Sequence, residues 1–288
     1  MGIIISSAVT QSGGVSSVGQ AAEAARAALT GAGCTAEQVD ALINVGVYRD
    51  ANLVEPAVAA LIQQAAGIGL DYRAGELPCL SFDLMNGACG LVNAVGVASS
   101  LLADLPNGHV VVVSGDAHPS QRADADFAFE PVGAALVLEN HSDAVGFGGV
   151  HVSAGDTLPD PQGYVTLSAM GTEGRSSMTV ELATGTAELV EHAATAAREA
   201  LAADGLDATS VVLLCGKPTP DFAATLAAEL GIDTVITDDF AGDAHTSALT
   251  AAFVAARDAG ATGRPLLFVA ADGGPTAAAV TYRGLGVQ

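Results

Sequence analysis

Apolar residues recur along this chain in two alternating patterns. Helical spacing marks "EPAVAALIQQAAGI" (55–68) and "PDFAATLAAELGI" (220–232), each with proline in the first turn and a closing Gly-Ile. Continuous apolar runs bounded by Gly, Asp or Pro mark strands, as in "HVVVVSGDA" (109–117) and "PLLFVAADGG" (265–274). Helices that alternate with such strands predict parallel strands joined by helical crossovers, a layered α/β architecture.

An uncharged stretch of twenty residues runs from Leu84 to Ala103. Its length suits a membrane-spanning helix, which needs about twenty predominantly apolar residues. Asparagines, serines and glycines interrupt it, however, and a helix buried on all sides of a large protein is apolar all round as well. The stretch is therefore predicted to be a core helix.

The same order of helices and strands occurs twice. The helical segment "AARAAL" (24–29) recurs as "AAREAL" (196–201), and two later strands end in aspartates that lie 156 positions apart. The two copies are assigned to residues 1–145 and 146–288. Residues 149–189 contain extra strand and loop material before the first helix of the second copy, and are interpreted as an insertion or lid.

The repeat brings one cysteine and one histidine into correspondence. Cys89 lies six positions after Asp83, and His245 lies six positions after Asp239. Both are predicted to lie at the N-terminus of a long helix, which favours a thiolate, and a neighbouring histidine can take the thiol proton. Cys89 is therefore a candidate nucleophile with His245 as its base. The alternative is that Cys89 only fills space in the core, as most free cysteines do.

Composition narrows the classes of partner and site. The 288-residue chain is 50% hydrophobic and has 10 Lys and Arg against 32 Asp and Glu, a net charge of -22 that repels nucleic acid and anionic membranes. The other cysteines, Cys34, Cys79 and Cys215, are assigned to packing, and no CxxC or CxxH spacing predicts a metal site or a disulfide framework. The first residues lack a secretory signal pattern, so a cytoplasmic protein is expected.

The segment "FDLMNGACGLVNAVGVA" (82–98) resembles the nucleophile segment of the thiolase-like superfamily, in particular the type III ketoacyl-acyl-carrier-protein synthases. Residues 42–68 and the strand "FEPVGAALVLE" (129–139) are similar to further segments of that group, and the resemblance covers most of the chain. It implies a thiolase-like fold, two α/β halves in an α-β-α-β-α arrangement, and a dimer. It also implies that an acyl group from acyl-coenzyme A or an acyl carrier protein is loaded onto the cysteine and passed on.

The resemblance is uneven at the implied site residues. Cys89 matches the family nucleophile, although one residue more separates it from Asp83 than in the commoner family spacing. His245, in "AHTSA", takes the place of the family asparagine. The family histidine has no counterpart in "CGKPTPD", where Lys217 is the nearest match. The resemblance therefore implies an altered Cys-His-Asn triad.

The family oxyanion hole implies roles for the N–H of Cys89 and for that of Gly273 or Gly274, in "DGGPTAA". Decarboxylation of a malonyl thioester uses two donors in the family, the histidine and the asparagine, and losing one oxyanion donor costs about a hundredfold to a thousandfold in rate. We therefore expect an acyltransferase of fatty-acid, polyketide or other secondary metabolism. Simple acyl transfer is favoured, and decarboxylating carbon–carbon condensation stays open. Two alternatives stay open: a catalytically reduced partner subunit of an active ketosynthase, and a thioester hydrolase.

Other residues are candidates for substrate binding or for structure. Lys217, the only lysine, is either a surface residue or a substitute cation near the acyl oxygen, and Arg49 and Arg73 are candidates for coenzyme A phosphates or an acyl carrier protein. His118 follows a strand on the predicted active face, where loop packing is the alternative. A homodimer is expected, or a heterodimer with a related ketosynthase, and no cofactor besides the thioester substrate. Capping or turn geometry is assigned to the strand-end aspartates, Asp83, Asp116, Asp239 and Asp272.

Overall fold

The structure is a computed structural model that describes residues 2–71, 74, 77–155, 163–164, 176–180, 185–272 and 276–285. The predicted site residues Arg73, Gly273 and Gly274 lie outside the described residues.

Eight strands and helices make up the N-terminal half. In chain order they are β1 (Gly2–Ser12), α1 (Ser17–Ala32), β2 (Ala41–Asn44), α2 (Val58–Ala66), β3 (Leu80–Asp83), α3 (Gly90–Ala103), β4 (His109–Gly115) and β5 (Val132–His141).

The C-terminal half has the same order of main elements. They are β6 (Gly146–Phe147), β7 (His151–Ala154), β8 (Gly163–Tyr164), β9 (Thr179–Val180), α4 (Thr186–Asp204), β10 (Val212–Cys215), α5 (Phe222–Leu230), β11 (Val235–Ile236), α6 (Ala248–Asp258), β12 (Leu266–Ala271) and β13 (Thr276–Arg283). Strand β7 pairs with β13 at the place in its sheet that β1 takes beside β5. The predicted insertion or lid therefore includes a strand, 151–154, that corresponds to β1 of the first copy. Much of the rest of that segment lies outside the described residues.

Each half forms one mixed sheet. The strand order is β1-β5-β4-β2-β3 in the first sheet and β11-β10-β12-β13-β6 in the second. The three strands that follow crossover helices are parallel in each sheet, as predicted, but the last strand of each half runs antiparallel to its neighbours. The prediction of parallel strands is wrong there, because no helix separates β4 from β5 or β12 from β13, and the chain returns directly.

The helices complete five layers. One apolar cluster joins α1 and α2 to the outer face of the first sheet, and another joins α4 and α5 to the outer face of the second. The central cluster takes side chains from both sheets and from α3 and α6, which lie between them. The predicted α/β fold with an α-β-α-β-α order is therefore confirmed.

Helix α3 is the core helix predicted within the uncharged stretch. Its buried positions include Leu91, Val95 and Leu102, and its serines Ser99 and Ser100 donate hydrogen bonds to carbonyls one turn earlier in the same helix. Ser99 is partly buried and Ser100 is exposed, and these bonds satisfy both hydroxyls within the helix. Throughout the described part of the chain, every helix is too short or too polar to span a bilayer.

Candidate active site

Cys89 ends a single turn of 3-10 helix, Gly87–Cys89, that runs directly into α3. Its side chain is buried, and Sγ donates to the carbonyl oxygens of Ala270 (3.7 Å) and Thr276 (3.8 Å). These carbonyls belong to the β12–β13 hairpin beneath the helix. Among the described residues, the thiol has no hydrogen bond to His245.

The environment of Cys89 favours the neutral thiol. Burial, and then the negative charge of Asp272, raise the pKa of Cys89 from 9.0 to about 12. Placement at a helix N-terminus lowers the pKa of a thiol, but the loss of hydration on burial raises it by more. At neutral pH the sulfur therefore keeps its proton.

His245 begins the corresponding 3-10 turn in the other half, His245–Ser247. Its backbone is left-handed, with φ of 43°, and its N–H donates to Oδ1 of Asp243 at 3.0 Å, which helps to hold this costly conformation. The imidazole is buried and stacks on Phe129, with ring centroids 4.3 Å apart and Tyr48 at 5.7 Å. The aromatic rings exclude water from this side of the site.

Two carboxylates bracket the imidazole. Nδ1 lies 3.7 Å from Oδ1 of Asp116, and Nε2 lies 3.5 Å from Oδ2 of Asp272. Burial alone lowers the pKa of His245, but the two carboxylates outweigh it and raise that pKa from 6.5 to about 10. His245 is therefore an imidazolium at neutral pH and has no lone pair with which to accept a further proton.

The two carboxylates also join the halves crosswise. Asp272, in the C-terminal half, accepts the backbone N–H of Ala88 at 2.8 Å, and Asp116, in the N-terminal half, accepts the hydroxyl of Thr246 at 2.7 Å. The sequence assigned both aspartates to turn geometry and missed this role. Their recurrence at the same offset was the available signal.

The equivalence of Cys89 with His245 is wrong by two positions. The turns begin at residues 87 and 245 and the helices that follow them begin at residues 90 and 248. Gly87 and His245 are both left-handed, with φ of 48° and 43°, so Gly87 is the counterpart of His245, and Ser247 is that of Cys89. The equal six-residue steps arise because loops of different length precede the two turns.

The neighbouring residue Ala88 is more exposed than Cys89. Ala88 is the middle residue of the turn Gly87–Cys89, and its backbone N–H donates to Asp272. Ala88 is half-buried, whereas Cys89 is buried beneath it.

The remaining predicted residues do not meet at this site. The ammonium of Lys217 lies 2.8 Å from Oδ1 of the buried Asp238 and donates to the carbonyl oxygens of Asp238 (3.2 Å) and Phe240 (2.5 Å). These three oxygens match the three donors of the ammonium, so the geometry is that of an internal ion pair. Asp239, predicted to end this strand, is exposed, and its neighbour Asp238 makes the buried contact.

Arg49 is also engaged within the chain. Its guanidinium donates to Asp83 at 3.4 Å and to the carbonyl oxygens of Leu53 and Val54. Asp83 ends β3 and accepts the N–H groups of Val58 and Ala59 at the start of α2, a helix-capping role that the sequence did not predict.

His118 lies beside a separate opening. Its Nδ1 is 2.8 Å from the hydroxyl of Ser120, and its ring is 5.9 Å from that of Phe127. Both rings line a surface cavity of about 250 Å³ together with Asp124, Asp126 and Met178. Phe127 in turn contacts Tyr48, at 5.1 Å, so a run of aromatic rings leads from this cavity to His245.

Metal chemistry finds no support in the described residues, where no group of three or more His, Cys, Asp and Glu side chains is arranged to hold an ion. The Asp116–His245–Asp272 arrangement is a set of ion pairs.

Solved structures with this fold are numerous. 3-Oxoacyl-(acyl carrier protein) synthase III, FabH, from Pseudomonas aeruginosa superposes with a TM-score of 0.79 at 18% identity, covering 98% of both chains. The chain has the thiolase-like fold. OleA from Xanthomonas campestris gives 0.78 at 15% identity, covering 99% of this chain and 97% of OleA. The priming β-ketosynthase of the R1128 polyketide biosynthetic pathway gives 0.77 at 17%, with coverages of 98% and 96%.

Sequence comparison gives no closer assignment, because neither a protein-family model nor a curated protein matches the chain.

Proposed function

We propose that this chain is the partner subunit of a ketosynthase-type acyltransferase and does not itself carry the acyl group. The observation that carries this proposal is that the thiol of Cys89 and the imidazole of His245 contact other groups and do not hydrogen-bond to each other. The thiol donates to two backbone carbonyls, while the imidazole is enclosed by the carboxylates of Asp116 and Asp272. The two groups that would form a nucleophile and its base each have other partners.

The protonation states support the same proposal. The thiolate is the nucleophile, and burial raises the pKa of Cys89 to about 12, so the thiol stays protonated at pH 7. A histidine with a pKa of about 10 is already protonated there, so it cannot serve as the general base.

A subunit interface is favoured by the edge of the first sheet. Strand β3 ends the strand order of that sheet, so one of its edges has no strand partner in the described chain. Most of the large apolar side chains that are exposed lie on or near it: Leu53, Val54, Leu70, Leu77, Leu80 and Met85. An apolar, unpaired edge is a surface that a second subunit would cover. We therefore propose a dimer through β3, with a related ketosynthase that carries the nucleophile.

A second candidate is the acyltransferase expected from the sequence. It is favoured by the position of Cys89 as the N-cap residue of α3, where a helix dipole stabilises negative charge. In this function acyl-coenzyme A or an acyl carrier protein would load Cys89, and the acyl group would pass to an acceptor. A thioester hydrolase would use the same thiol with water as the acceptor.

Mass spectrometry of the intact protein after incubation with acyl-coenzyme A tests the proposal. We expect no acyl adduct, and the same mass behaviour for Cys89→Ala. An adduct on Cys89 that is discharged by an amine, an alcohol or a second thioester would establish the acyltransferase instead. An adduct lost to water alone would establish the hydrolase.

The partner is tested by light scattering after size-exclusion chromatography, with the chain alone and mixed with each type III ketosynthase of its source organism. We expect a mixed dimer with one of them, which Leu80→Lys abolishes because it places a charge on the β3 edge. Leu285→Lys changes an equally exposed apolar residue far from this strand and serves as the control. A chain that binds none of these enzymes would refute the partner role.

A further inference from the structure

The start of the central helix α3 holds a carboxylate that comes from the other half of the chain. Oδ2 of Asp272 lies 2.8 Å from the N–H of Ala88, in the 3-10 turn that leads into the helix. Asn86, the residue before that turn, makes no side-chain cap and instead donates to Asn93 at 2.7 Å. The first N–H groups of a helix need acceptors from outside, and Asp272 supplies one.

The fit of this carboxylate depends on a glycine. A Cβ at Gly87 would lie 1.5 Å from Oδ2 of Asp272, so the carboxylate occupies the space of the missing side chain. Ala88 adds only a methyl group. In the other half, Thr246 is at the corresponding position. There the side-chain hydroxyl, and not the backbone amide, donates a hydrogen bond to the carboxylate of Asp116.

A second, independent feature points into the same place. The imidazole of His245 is only 6% exposed, and its Nε2 lies 3.5 Å from the same oxygen of Asp272. Its Nδ1 has no hydrogen-bond partner among the described residues, so the cation is balanced by charge more than by hydrogen bonds. A backbone N–H and a buried cation together form a site for one small anion.

We propose that the turn Gly87–Cys89 and His245 form a carboxylate-binding site that Asp272 fills from within, and that the site accepts a small external carboxylate once the Asp272 side chain is removed. In the intact protein, this internal carboxylate closes the site to the anionic group of any bound thioester. The inference does not rest on the proposed function, because it concerns binding of an anion and involves no acyl transfer.

Formate is the probe, and Asp272→Ala is the test variant. We expect formate to raise the melting temperature of Asp272→Ala by about 2–4 °C over chloride at equal ionic strength, in a saturable manner. The amide resonance of Ala88 should move with formate in this variant. The parent protein should show neither effect.

Two controls separate specific binding from a general salt effect. Asp272→Asn keeps an oxygen acceptor in place, so formate should not bind it. Asp258→Ala removes an exposed carboxylate elsewhere and should respond to formate as the parent does. If Asp272→Ala does not fold in chloride, its refolding yield in formate against chloride is the readout. Equal responses of Asp272→Ala, Asp258→Ala and the parent, or equal refolding yields in the two salts, would overturn the proposal.

Discussion

Asp116 and Asp272 end corresponding strands of the two halves, and each carboxylate contacts the first helical turn of the opposite half. Asp272 accepts a hydrogen bond from the amide of Ala88, and Asp116 accepts one from the hydroxyl of Thr246. His245 lies between the two carboxylates. The centre of the fold is thus held by charged groups that each half contributes to the other. The imidazole of His245 is paired with both carboxylates in this arrangement.

Removing the cation from between the two carboxylates should be strongly destabilising. In His245→Ala, Asp116 and Asp272 would face each other in a buried site without compensation, a loss of about 3–5 kcal/mol in the free energy of unfolding. Urea denaturation at pH 7 measures it. His141→Ala, which removes a partly exposed histidine near Asp143, is the control and should cost under about 1 kcal/mol. Equal losses for the two variants would contradict the buried ion pairs.

Stability should fall as pH rises through the alkaline range. The folded pKa of His245, about 10, exceeds its ordinary value of 6.5, so its contribution is complete below pH 6.5 and is lost as pH rises through 10. The slope approaches about 1.4 kcal/mol per pH unit between these values. The four cysteines, whose pKa values burial also raises, add losses of the same sign that begin as unfolded thiols ionise on the approach to pH 9.

Denaturation between pH 7 and 8, where unfolded thiols with a pKa of 9.0 are still largely protonated, therefore reports mainly on the histidine. The slope in this window should fall close to zero in His245→Asn, and the ring resonances of His245 should still show an imidazolium at pH 8. A ring that is neutral at pH 8 would contradict the assigned charge.

Thiol reactivity should follow exposure. Cys79 is the one partly exposed cysteine of the four, while Cys34, Cys89 and Cys215 are buried. Iodoacetamide at pH 8 should therefore modify Cys79 first in the native protein, and Cys89 only after unfolding in guanidinium. Peptide mapping by mass spectrometry gives the order, and labelling of Cys89 as fast as Cys79 would show an accessible, reactive thiol.

A thiol at position 88 should react where Cys89 does not. In Ala88→Cys with Asp272→Gly, the new thiol takes the half-buried position and the negative charge beside it is gone. The thiolate then attacks the acyl carbon of acyl-coenzyme A, and coenzyme A leaves as its thiol. We expect an adduct of one acyl group on position 88.

The single variant Ala88→Cys is the matched control for that experiment. It retains Asp272, whose carboxylate occupies the site and opposes ionisation of the thiol, so it should remain unmodified. An adduct in the single variant, or none in the double, would show that Asp272 does not govern access to position 88.

Much of the fold could be predicted from residue patterns. Apolar periodicity located the helices and inner strands, the repeated order of elements gave two halves, and the uncharged stretch gave the buried helix α3. The outer strand β1 was missed because its apolar run is short and continues into serines, threonine and glutamine. Its pairing with β5 depends on contacts more than 100 residues apart, which local patterns do not contain.

The site was predicted in its location and not in its chemistry. His245 lies at the centre of the fold, as the repeat suggested. The predicted equivalence of Cys89 and His245 is wrong because three residues link β3 to its turn, whereas eight residues link β11 to the turn at His245. The direction of the Cys89 side chain follows from the helix start at Gly90. Strand β11 ends at Ile236, three residues before the predicted end at Asp239, and Lys217 pairs with Asp238 in the loop that follows.

The shared central layer has a consequence for how the protein unfolds. Helices α3 and α6 come from different copies yet pack in one cluster, and each copy lends a carboxylate to the other. Residues 1–145 alone would expose the inner face of their sheet and leave the turn at Ala88 without its acceptor. Although the sequence shows a duplication, we expect both copies to unfold together in one cooperative transition.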